Sequence, residues 1–138
     1  MMLTTKGRYA VASLVDIACV NDGAPVNLKN ISARQKLPLS YLETIFCKLR
    51  IAGLVSAIKG PGGGYLLNKP LAQINIKEII DAVEEKIEMT RCSKSSSGQG
   101  CINANAKCIT HDLWYGLSQH ISNYLSSITV EDVIENRL

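Results

Sequence analysis

Residues 36–67 read KLPLSYLETIFCKLRIAGLVSAIKGPGGGYLL, and this stretch decides the architecture. Its first part predicts a helix starting at Ser40. Ser40 and Glu43 stand three apart ahead of an apolar run, the pattern of a capping box. Leu42, Ile45, Phe46 and Leu49 recur at helical spacing and form one apolar face, while Tyr41, Thr44, Lys48 and Arg50 look elsewhere. Gly53 suits the helix stop. Leu54–Ile58 then reads as a strand and Tyr65–Leu67 as its partner, joined by Lys59-Gly60-Pro61-Gly62-Gly63-Gly64. Glycines reach backbone conformations closed to other residues, so this segment is a hairpin tip.

Upstream, a short helix over Leu28–Gln35 carries Leu28 and Ile31 inward, and a tight break at Lys36–Leu39 separates it from the next. Two helices around a tight turn, the second with a polar and basic face, make a helix-turn-helix. A hairpin directly after them is a wing. A first helix, capped by Thr4 or Thr5 and running to about Asn21, buries Ala10, Leu14, Ile17 and Ala18. Asp16 interrupts it.

Beyond the wing, Ile76–Val83 reads as a short helix and Glu84–Lys107 as a long loop rich in Ser, Gly and Asn. A helix follows from about Lys107 to Ser127, with Leu113, Leu117, Ile121, Tyr124, Leu125 and Ile128 on one face. Thr129 caps a last helix, Val130 to about Asn136. The fold is therefore mainly α with a small β wing. Residues 1–83 form a winged helix-turn-helix, 84–107 a ligand loop, and 108–138 a dimerisation helix with a terminal helix.

Composition agrees. Of 138 residues, 46% are hydrophobic, with one Trp, one Phe and five Tyr, so a largely aliphatic core is available. The net charge of +3 hides an asymmetry. Residues 1–70 hold nine Lys/Arg against three acidic residues, and 71–138 hold six against nine. Only the first half is suited to a polyanion. The opening MMLTTKGRYA lacks a long apolar stretch and no run reaches membrane-span length, so a cytoplasmic protein is expected. No nucleophile–base pair, P-loop or paired carboxylates indicate an enzyme.

The major groove of B-DNA admits one helix whose side chains read base edges. Ser40, Tyr41, Glu43 and Thr44 occupy the end of the second helix that meets bases and phosphates. Lys48 and Arg50 can neutralise phosphate, Lys59 and Gly60 at the wing tip can enter the flanking minor groove, and Lys6, Arg8 and Tyr9 can reach the backbone. Glu43 has a second role open to it in the capping box, and Tyr41 can instead pack beneath the wing.

The five cysteines divide in two. Cys92, Cys101 and Cys108, with His111 three residues on, make four ligands, enough for a [2Fe–2S] centre or for zinc. A thiol redox switch is a further reading. The Cys108–His111 spacing lets both project from one helix face. Cys19 and Cys47 fall within predicted helices and are expected as buried small hydrophobes. His120 reads as a surface or interface residue.

LTTKGRYAV near the start, LPLSYLETIFCKLRIAGLV, KGPGGGYLL, TRC at 90–92, CITHDLW at 108–114 and the final SITVEDVIE together resemble the Rrf-type winged-helix transcription factors, specifically their iron–sulphur cluster regulators. The resemblance covers nearly the whole chain. It implies a homodimer through the long helix, including Trp114, and a [2Fe–2S] cluster on Cys92, Cys101, Cys108 and His111. It implies double-stranded DNA as partner, with the helix from Ser40 reading bases, and control of cluster-assembly genes. It implies that the residue matching Glu43 helps choose between DNA site classes. The cysteine spacing here is longer than in relatives, and Thr44 and Lys59 stand where relatives often have Gln and Arg. A small iron–sulphur carrier is the reading furthest from this one.

Overall fold

The computed structural model describes residues 5–20, 23–83 and 108–138. Helix α1 spans Thr5–Cys19, α2 Leu28–Gln35 and α3 Leu39–Ile51. Strands β1 (Val55–Ile58) and β2 (Gly64–Leu67) form an antiparallel hairpin pairing Val55 with Leu67 and Ile58 with Gly64. A 3-10 turn at Leu71–Gln73 leads to α4 (Ile76–Ala82), and α5 (His111–Ser127) and α6 (Val130–Ile134) close the described chain. This is the expected mainly helical fold with a two-stranded wing.

One core unites these elements. Ala10, Leu14 and Ile17 of α1 pack with Ile31 of α2 and with Leu42, Ile45, Phe46 and Leu49 of α3. Ile79 and Ile80 of α4 and Val130 of α6 complete it. The predicted apolar face of α3 is buried to the last residue.

The helix-turn-helix is held at both ends by polar clips. Asn27 caps α2 by accepting the Lys29 backbone N–H. Lys36 ends α2 in the left-handed region at φ 55°, and the Leu37 N–H returns to the Ser32 carbonyl at 3.1 Å. Asp16, buried on α1, accepts from Arg34 Nη2 at 2.6 Å and Gln35 Nε2 at 2.8 Å in the last turn of α2. The acid that interrupts the apolar pattern is thus the bolt between α1 and α2. Burial pushes its pKa up, but hydrogen bonds from Arg34 and Gln35 and the Arg34 charge outweigh this and hold it below the usual range.

Three local expectations are corrected. Helix α3 starts at Leu39 behind Pro38, whose φ of −61° presets the entry, so Ser40 is already helical and caps nothing. The capping-box role of Glu43 falls with it. Helix α5 starts at His111, not near Lys107, so Cys108 lies in the turn before the helix. Cys19 and Cys47 are exposed, not buried. Cys47 follows Phe46 and so faces away from the buried row, and Cys19 opens onto a groove of about 640 Å³ along α1, walled also by Val15, Ile80 and Leu125.

The carboxyl-terminal helices are sewn onto the rest by paired backbone bonds. The Ile76 N–H donates to the Ile128 carbonyl and the Val130 N–H to the Ile74 carbonyl, each at 2.9 Å. Capping boxes flank this bridge, Asn75 with Glu78 and the expected Thr129 with Asp132. Leu125 and Ile128 accordingly pack against the chain's own core, whereas Leu113 and Tyr124 are 61% and 56% exposed. The apolar face expected along α5 therefore divides between the protein's interior and its surface.

Candidate nucleic-acid interface and cysteine–histidine turn

The exposed positions of α3 are Ser40, Glu43, Thr44, Cys47, Arg50 and Ile51. They recur at three- and four-residue spacing and form one outward row opposite the core. Tyr41 and Lys48 flank it, half-buried. Tyr41 packs toward α1. It meets Tyr9 of α1 edge-on, with ring centroids 5.5 Å apart, which joins the start of α1 to the front of α3.

The ring beneath the wing is Tyr65, 4.8 Å from Phe46. The path from α3 into β1 is fixed by the C-terminus of the helix. Gly53, at φ 81°, lets its N–H reach the Arg50 carbonyl while the Leu54 N–H reaches that of Leu49, each at 3.0 Å, a Schellman closure. On its far side β2 is tied to the loop before α2. Val26 and Tyr65 exchange backbone hydrogen bonds of 2.9 and 2.8 Å. Gly64 makes that pairing possible, because a Cβ there would lie 2.4 Å from the Val26 carbonyl oxygen. The wing is thus bound to both halves of the helix-turn-helix. Lys59 and Gly60 are exposed at its tip.

Charge is available on this side. Arg8, Arg50 and Lys59 are exposed and enter no ion pair among the described residues, and Lys6 is half-buried at the start of α1. Lys69, Lys77, Arg34 and Arg137 are each engaged by carboxylates. Cations without internal partners can exchange counterions for phosphate. Arg8 and Tyr9 also line the groove along α1.

Of the four candidate metal ligands, Cys108 and His111 are described, and Cys92 and Cys101 lie outside the described residues. Cys108 is half-exposed, with its Sγ 3.7 Å from Thr110 Oγ1. The His111 N–H donates to the Cys108 carbonyl at 3.0 Å, closing a turn that brings the two residues together without sharing a helix. His111 is 6% exposed and stacks on Tyr115, with planes 11° apart and centroids at 6.2 Å. The Trp114 indole donates to Thr110 Oγ1 at 3.1 Å, bracing the turn from the first turn of α5. Among the described residues, no group of three or more potential metal ligands converges. His120 is exposed, as expected. No described helix is long and apolar enough to cross a membrane.

Sequence reading missed three features of this region: the Asp16–Arg34–Gln35 tie, the Val26–Tyr65 bridge and the place of Cys47 in the outward row of α3. Only the last carried a signal, since residues 40, 43, 44 and 47 share a helical face by spacing alone.

The architecture has close counterparts. A profile described as Rrf2, iron-dependent transcriptional regulator, matches residues 3–136. The HTH-type transcriptional regulators IscR of Cronobacter sakazakii and of Escherichia coli K12 are each 45% identical over 137 residues, covering 99% of this chain and 82% of theirs. The solved structure of T. potens IscR superposes with a TM-score of 0.78 at 30% identity, covering all of this chain and 89% of that one. CymR, the global cysteine regulator of B. subtilis, superposes at 0.74 with 28% identity, covering 99% of this chain and 98% of its own. With the winged helix-turn-helix built as described and the profile matched almost end to end, the chain belongs to the Rrf2 family of transcriptional regulators.

Proposed function

We propose that the chain is a dimeric, sequence-specific DNA-binding regulator in the cytoplasm, governed by a [2Fe–2S] cluster on Cys92, Cys101, Cys108 and His111, with cluster-assembly genes among its targets. The observation that carries the DNA part is the outward row of α3, polar at Ser40 and Glu43 and basic at Arg50, beside a wing presenting Lys59. Arg8, Lys6 and Tyr9 extend the contact along α1, and Lys48 and Gly60 complete its edges. In a dimer, two such rows would read half-sites spaced by about one DNA turn, ~34 Å.

The dimer reading rests on α5. Leu113 and Tyr124 are large, apolar and exposed, and Trp114, Leu117 and Ile121 are only partly covered. A ridge of this kind is suited to the same ridge on a second copy. Leu125 and Ile128, which serve the chain's own core, would bear on that contact from behind.

The cluster reading rests on the turn before α5. A half-exposed thiol and a buried imidazole stand together at the amino-terminal end of a 17-residue helix. There the helix dipole favours a centre of net negative charge. The donor set of three sulphurs and one nitrogen fits a [2Fe–2S] centre, which when bound supplies one-electron and iron-exchange chemistry. For their part, Cys92 and Cys101 would close the chain between α4 and α5 by meeting Cys108 and His111. DNA affinity then differs between loaded and stripped forms only as far as that closure favours one DNA-competent arrangement.

Anaerobic purification tests this. The protein is expected to be red-brown, with equal iron and acid-labile sulphide, and to lose both in the Cys108→Ala and His111→Ala variants. A colourless protein with stoichiometric zinc would overturn the cluster.

A further inference from the structure

The outward row of α3 is not polar throughout. Between Glu43 and Arg50 it carries Thr44 and Cys47, three residues apart on the same exposed face. The Thr44 hydroxyl donates back to the Ser40 carbonyl at 3.3 Å, so what this residue has left to present is its methyl group. Cys47 adds a small, weakly polar thiol that bonds to nothing among the described residues. Together they make a small apolar step between Glu43 and Arg50, separate from the exposed Ile51 at the far end of the row.

B-DNA offers a single apolar group in its major groove, the C5-methyl of thymine. We propose that Thr44 and Cys47 form a thymine-methyl contact, making Cys47 a specificity-determining residue of this chain. The inference rests on α3 being the base-reading helix. The contact selects A·T over G·C at one position in each half-site by excluding water from a methyl group. It also leaves Cys47 covered when duplex is bound. Cys19, at the opposite end of α1 from Lys6, Arg8 and Tyr9 and off this row, is expected to stay outside the DNA contact.

The test uses the full-length protein and a duplex that it selects from a random-sequence pool. Each thymine of the half-site is replaced in turn by deoxyuridine, which removes only the methyl. Wild type is expected to lose about fourfold in affinity at one position per half-site, the worth of one buried methyl-sized group. In Thr44→Ser and Cys47→Ser the penalty at that position shrinks toward none, while their thermal stability is unchanged because both side chains are exposed. In parallel, N-ethylmaleimide labelling is followed at Cys47 and Cys19 by peptide mass spectrometry. Saturating duplex is expected to protect Cys47 and not Cys19. If duplex binds, but no deoxyuridine matters and Cys47 labels as fast as in free protein, the thymine contact is refuted and the DNA-binding reading stands. If no duplex is selected, that reading itself fails.

Discussion

Replacing Gly64 by alanine tests how the wing is held. The added Cβ would lie 2.4 Å from the Val26 carbonyl oxygen, 2.5 Å from its carbon and 2.8 Å from the Asn27 nitrogen. All three are backbone atoms, so no side chain can swing aside. Relief requires β2 to part from Val26, which breaks the Val26–Tyr65 pair of hydrogen bonds. Two such bonds at about 1 kcal/mol each, plus about 1 kcal/mol for a φ of +155° that alanine resists, give about 3 kcal/mol. For a chain of this size that is a fall in Tm of about 10 °C. Gly62→Ala is the control. Its φ is +75° but a Cβ there meets nothing within 4 Å, so only the backbone cost of about 1 kcal/mol applies. Thermal melts followed by far-ultraviolet circular dichroism read the difference. A Gly64→Ala protein melting with Gly62→Ala would refute the reasoning, because the close approach to Val26 would then cost nothing.

Other consequences follow from the same geometry. Lys59→Ala is expected to weaken duplex binding evenly across sequences and to lower the log–log salt slope by about 1 for each phosphate no longer neutralised, as measured by fluorescence anisotropy over a salt series. Asp16→Asn removes a carboxylate whose folded pKa is depressed, so its stabilising effect is present above the unfolded value of about 3.9 and fades as pH falls through the folded value. The variant should therefore melt well below wild type at pH 7 and converge with it only as pH falls through the depressed folded value, a gap that urea titrations across pH can follow. Leu113→Glu and Tyr124→Glu, at exposed positions, should yield a folded monomer by analytical ultracentrifugation, whereas Leu125→Glu should lower Tm by disturbing the core.

Much of the fold was legible from residues 36–67 because each element there declares itself locally. The apolar row of α3, the stop at Gly53 and the glycine-tipped hairpin are short-range signals, and all of them appear in the structure. What the sequence hid is held by long-range pairing. A single-residue bridge such as Val26 to Tyr65 has no periodicity, and neither does the Asn75–Thr129 bridge that joins segments more than fifty residues apart. Asp16 looked like a fault in an apolar helix because its partners, Arg34 and Gln35, stand eighteen and nineteen residues away. The start of α3 was misread because proline, by fixing φ, can open a helix without a side-chain cap. Of the site, the α3 row and the wing tip were legible. Composition hid the thiols, since a cysteine inside a helix is apolar whichever way it faces, and only the spacing of residues 40, 43, 44 and 47 put Cys47 on the outward row.

The most direct trial of the account is duplex affinity against salt, measured for iron-loaded and stripped protein on duplexes it selects. Binding at low ionic strength, falling steeply between about 50 and 200 mM salt and differing between the two forms on at least one class of duplex, is predicted. Failure of both forms to bind any selected or random duplex at low salt would contradict it.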